Sequence, residues 1–162
     1  MNWVDEVRDR IKRKNQILFA KYSVFLQDLT DLIQEQNRRT MVLWAFEFAD
    51  ETVQKLITRY PDEKRFEEAV TATKDWASGK VKMPFAKQAI LGAHAVAKEI
   101  DTPEDIALCH AVGQACGVVH VKSHAFDIIL FSLLHNFSAI INTILSNYLT
   151  YPYEWADFIT EN

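Results

Sequence analysis

The chain has 162 residues, 49% of them hydrophobic, which is about the size of one domain and enough to build a core without disulfide or metal staples. Its 18 Lys and Arg against 22 Asp and Glu leave a net charge of −4, which argues against nucleic acid as the main partner because phosphate binding needs a clustered positive field. The N-terminal stretch, with Asp5, Glu6, Arg8, Asp9, Arg10 and Lys12, lacks the apolar run of a secretory signal, so a cytoplasmic location is expected.

Val4, Val7, Ile11, Leu18, Tyr22, Phe25, Leu29 and Leu32 keep a helical apolar spacing, with a break near Asn15. The basic cluster of Arg8, Arg10, Lys12, Arg13 and Lys14 is interleaved with acids and reads as a solvated helix face rather than a nucleic-acid or membrane arm. A second helix is predicted from about Arg39 to Tyr60. It ends where Tyr60-Pro61-Asp62-Glu63 supplies a pre-proline break and first-turn acids for the next helix, which runs to a Ser78-Gly79 stop. Met83-Pro84 places proline in the first turn of a helix reaching about Glu99. Thr102-Pro103-Glu104-Asp105 opens another, with Thr and Asp spaced as a capping box, and this helix is expected to continue past His124 if nothing breaks it. From Phe126 to Leu149 the only charge is Asp127, but Ser132, His135, Asn136, Asn142, Thr143, Ser146 and Asn147 give the segment a polar edge. It is read as a core helix and not a membrane span. No strand pattern competes. The expected fold is all-α, a single-domain bundle of about six to seven helices with a long apolar helix near the C-terminus.

Gly92, Gly113 and Gly117 lie inside predicted helices and need a packing reason. His110, Gly113, Gly117, His120 and His124 would form one stripe on a continuous helix, either a close helix contact or a polar pocket. Ala86, Ala89, Ala93 and Ala97 make a matching small-residue stripe on the preceding helix, so close approach of the two helices is expected. The short connection at Asp101-Thr102 implies an antiparallel hairpin, which sets His94 opposite Cys109 and His110, and His120 near Met83.

His110 and His124 would be roughly 21 Å apart on a continuous helix, so the histidines could share one ion only if that helix broke at Val121-Lys122. His120 and His124 have ligand spacing but lack a third ligand and any H-E-x-x-H arrangement, so no metal and no cofactor are expected. Glu47, Asp50 and Glu51, beside Trp44, are the carboxylates best placed to join the histidines, and the candidate binding pocket is Trp44, Glu47, Asp50, His94, His120 and His124. Cys109 and Cys116, about 10 Å apart along a helix, are too distant for a disulfide and read as buried thiols. Neither sits at a helix N-terminus, and no Gly-rich phosphate loop or nucleophile elbow occurs, so no catalytic residues are assigned.

Val42-Leu43-Trp44-Ala45-Phe46-Glu47-Phe48-Ala49-Asp50, Tyr60-Pro61-Asp62, Trp76-Ala77-Ser78-Gly79-Lys80-Val81, Ala93-His94-Ala95, Gly113-Gln114-Ala115, Val119-His120-Val121 and His124-Ala125 together resemble the Imm-5-like immunity proteins of bacteria. The resemblance covers about Arg39 to Phe131 and implies an all-α protein that binds and neutralises a toxin domain without catalysis. It divides the chain into an N-terminal helical extension (1–38), a family-like core (39–131) and the end of the long apolar helix with a tail (132–162). An acidic face would suit a basic toxin, and Glu51, Asp62, Glu63, Glu67 and Glu68, with Glu47 and Asp50, are the candidate partner surface. No nucleic-acid or membrane partner is expected. Val4 to Leu32 either folds back on the bundle or joins a second copy in a homodimer. The alternative reading is a helical metal-dependent hydrolase or small-ligand protein centred on His94, His120 and His124.

Overall fold

The computed structural model describes residues 3–13, 19–20 and 22–132, and all of its regular structure is helical. In chain order the elements are α1 (Trp3–Lys12), a 3-10 turn (Val24–Leu26), α2 (Gln27–Glu35), α3 (Arg38–Arg59), α4 (Arg65–Ala77), α5 (Met83–Val96) and α6 (Pro103–Gly117), after which residues 124–132 are again helical. The remainder of the expected long apolar helix lies outside the described residues. Among the described residues no helix is long and apolar enough to cross a membrane.

The helix ends follow local chemistry. Asn37 caps α3 by accepting the Thr40 N–H at 2.9 Å. At the end of α4, Gly79 adopts φ +78°, its N–H reaches Trp76 O at 2.9 Å and the Lys80 N–H reaches Asp75 O at 2.8 Å. That pair of bonds is the Schellman closure that only glycine enters without strain. Helix α5 stops at Val96 rather than Glu99, because Lys98 and Glu99 close tight turns onto Ala95 and Val96 instead. The capping box at the start of α6 does not form, since the Thr102 side chain makes no cap hydrogen bond. Asp105 instead turns inward, 2% exposed, where its carboxylate accepts from Arg59 and, at 2.9 Å, from the Tyr60 hydroxyl.

Helix α6 is the centre of the bundle. Leu108, Cys109, Val112, Ala115 and Cys116 are buried on it, as are Ala107 and Ala111 on its other side, and it packs against α3, α4 and α5. Helix α3 meets it through Met41, Ala45, Ala49, Val53 and Leu56, and α4 contributes Phe66, Ala69 and Val70. Val7, Phe19, Leu26 and Ile33 join the same core, so the described part of the N-terminal segment folds back on the bundle. The Glu6 carboxylate secures that return by accepting the Ala20 N–H at 2.9 Å and the Ser23 hydroxyl at 2.7 Å. Both cysteines are buried free thiols, with burial pushing Cys109 up to about 12 and Cys116 to about 11.

Candidate functional site

Two features outside the core arrangement invite a functional reading: a histidine seam against α6 and a groove between α4 and α5. The seam exists because the helix expected to run past His124 ends at Gly117. Its chain then turns through 118–123, held by the Arg38 guanidinium on Val119 O and by Lys122, whose ammonium donates to Gln34 O at 2.8 Å and Gln36 O at 2.6 Å. Lys122 thereby supplies donors and positive charge to the carbonyl end of α2.

This break returns His124 to the face of α6. Its ring rests on Gly117, where a Cβ would lie 3.0 Å from Cδ2, and its Nδ1 is 3.2 Å from Asp127 Oδ2. One turn earlier on α6, the His94 ring from α5 lies directly on Gly113, where a Cβ would overlap Nε2, Cε1 and Cδ2. The glycines therefore clear space for imidazoles, and this replaces the expected alanine-to-glycine contact as the reason for the close approach. The hairpin register is as expected: His94 Nδ1 and His110 Nδ1 are 3.0 Å apart. One ring donates and the other accepts, which requires a neutral acceptor. Burial, reinforced by His110 and His124, lowers His94 to about 4, and burial also lowers His110. His110 packs on Phe131 at 5.2 Å between ring centres. His120 is exposed, with its ring centre 6.1 Å from that of Trp76. Together with Met83, Ile90 and His124 they border a cavity of about 220 Å³, which places His120 near Met83 as the register predicts.

The acids proposed to join the histidines lie elsewhere. Trp44 is half-buried against Phe48 with ring centres 6.1 Å apart, Glu47 and Glu51 are exposed, and Asp50 pairs with Lys74 at 2.7 Å. Among the described residues no hydrogen bond, ion pair or ring contact joins Trp44, Glu47 or Asp50 to a histidine, and no group of three His, Cys, Asp or Glu side chains is placed to hold a metal ion. Trp76 and Asp127 were absent from the sequence-derived pocket although they touch its histidines. Asp127, three residues beyond His124, is the one that helical spacing could have found.

The groove holds about 850 Å³. Glu67, Glu68 and Asp75 of α4 face Phe85, Ala89 and Gly92 of α5 across it. Arg65 lies at one end, bound through its guanidinium to Glu63 at 2.6 Å and Glu99 at 2.5 Å, and these bonds hold both carboxyls below their usual range. Asp75 pairs with Lys80 at 2.9 Å. Of the candidate partner surface, Glu51, Asp62, Glu67 and Glu68 are exposed and make no ion pair among the described residues, whereas Glu63 is engaged.

A family model described as Imm-5 like putative immunity protein matches residues 31–135, from within α2 to just beyond the last described helix. No curated protein and no solved structure gives a significant match.

Proposed function

From the premise that the chain belongs to the Imm-5 like immunity family, we propose that it binds and neutralises a toxin protein by covering it, without catalysis, in the cytoplasm of the bacterium that makes both. The family match, spanning more than half of the chain, carries this reading. The chemistry of the site agrees with a binding role. His94 and His110 use their Nδ1 atoms on each other, and both thiols are buried with pKa values raised away from the nucleophilic range. Exposed carboxylates at Glu47, Glu51, Asp62, Glu67 and Glu68 and the net charge of −4 suit a basic partner, whose approach an acidic face accelerates.

Co-expression with the product of each gene flanking this one, reading growth and co-purification, tests the proposal. Growth protection together with a co-purifying complex is the expected outcome. Absence of both protection and complex overturns it.

A further inference from the structure

Gly92 is the one of the three helical glycines with no ring packed on it. A Cβ at Gly113 or Gly117 would meet an imidazole, but at Gly92 it would meet only the Arg65 side chain, at an ordinary 3.8 Å. Glycine inside a helix is nonetheless less stable than alanine by about 1 kcal/mol. Gly92 lines the α4–α5 groove, where a large side chain would occupy space that is now open. On the same side stands Phe85, 60% exposed, an aromatic ring that the fold leaves in water at the groove edge.

The charge of the groove has a definite sign. Arg65 is matched by two carboxylates and Asp75 by Lys80, so the local ion pairs already occupy the bordering guanidinium. Lys64 at the rim donates to Pro61 O at 3.4 Å. Counting the groove and its ion-pair partners, three cations (Lys64, Arg65, Lys80) stand against five carboxylates (Glu63, Glu67, Glu68, Asp75, Glu99). Glu67 and Glu68 also sit in the first turn of α4, where the helix dipole favours acids, but the dipole does not require an open apolar floor beside them.

We infer that this groove is the docking face for the toxin, and that it takes a basic segment whose cations meet Glu67 and Glu68 while an apolar side chain packs on Phe85 over Gly92. The inference rests on the immunity reading and names its surface. Acidic rim and apolar floor are the complement of an amphipathic basic helix or loop laid into a groove. An exposed aromatic ring that becomes buried in such a contact is a common energetic anchor.

The test compares wild-type protein with Gly92→Trp, which fills the floor, and with the Glu67→Lys, Glu68→Lys double variant, which reverses the rim. Asp28→Lys on α2 serves as a distant charge control. Binding to a flanking-gene product that arrests growth when expressed alone is followed by surface plasmon resonance, with thermal melts on each variant. Gly92→Trp should weaken Kd at least about tenfold, mainly through faster dissociation, and the double variant should slow association about tenfold. Asp28→Lys should change both by less than about twofold. Should Gly92→Trp fail to fold, the double variant decides alone. Wild-type protein that binds while the folded groove variants bind equally well overturns the groove and leaves the immunity reading standing. Wild-type protein that forms no complex overturns both. A change of oligomeric state in the variants with toxin binding unaltered assigns the groove to a second copy, and likewise overturns the inference.

Discussion

Asp105 shows how asymmetric a single ion pair can be. Its side chain is 3% exposed while that of its partner Arg59 is 49% exposed, so the two ends of the pair stand in different dielectric surroundings. Removing the guanidinium strands a buried carboxylate with Tyr60 as its remaining donor, and Arg59→Met is expected to destabilise the fold by about 3 kcal/mol or more. Asp105→Asn keeps an acceptor for Tyr60 and lets Arg59 turn to water, so it should cost only about 1 to 2 kcal/mol. Denaturant melts of the two variants check that order, and equal losses would mean the burial asymmetry is unimportant. His94 gives a pH dependence of definite sign. Its pKa is about 4 in the folded protein, below the usual unfolded value near 6.5, so the unfolded chain takes up a proton first as pH falls. Stability is therefore intact above about pH 6.5 and lost progressively down to about 4. Urea melts across that window should show this slope, and His94→Gln should reduce it, leaving the contribution of His110, whose pKa burial also lowers.

At the scale of elements, the α5–α6 hairpin is governed by its glycines. Gly113→Ala gains helix propensity of about 1 kcal/mol, but its methyl must displace the His94 ring, which His110 and the α6 backbone already hold in place. Overpacking outweighs propensity here, and a net loss of about 1 to 3 kcal/mol is expected. Gly92→Ala has the same propensity gain and only an ordinary contact to Arg65, so it should be neutral or stabilising by up to about 1 kcal/mol. Thermal melts of the pair separate the two roles, and stabilisation of both would place the His94 ring away from α6. Helix-period patterning marked the residues of this seam and the antiparallel register of its helices. It could not reveal that α6 stops at Gly117, because Val118 to Ser123 contain neither proline nor a further glycine. The stop is tied to Arg38 and Lys122, whose partners are 81 and 86 or 88 residues away in the chain.

For the whole molecule, a net charge of −4 with exposed carboxylates along α3 and α4 predicts that association with the proposed toxin partner is fast at low ionic strength and slows with added salt, since at physiological salt the Debye length is only about 8 Å. Stopped-flow rates that do not change with salt would remove electrostatic steering from the mechanism. The family of this chain and its all-helical class were legible in the sequence, because ordered short motifs and a 3.6-residue apolar period are local properties of the chain. Local stop signals likewise placed the ends of α3 and α4, where proline and Gly79 act through neighbouring backbone. Hairpin register also set His94 opposite His110, but the partners of the other polar groups were decided by tertiary structure. Asp105 had the spacing of a capping residue yet serves Arg59 and Tyr60, and Asp50 had the spacing to join the histidines yet binds Lys74. Likewise the groove combines Glu67 and Glu68 of α4 with Phe85 and Gly92 of α5, a pairing fixed by how the two helices pack and carried by no single stretch of sequence.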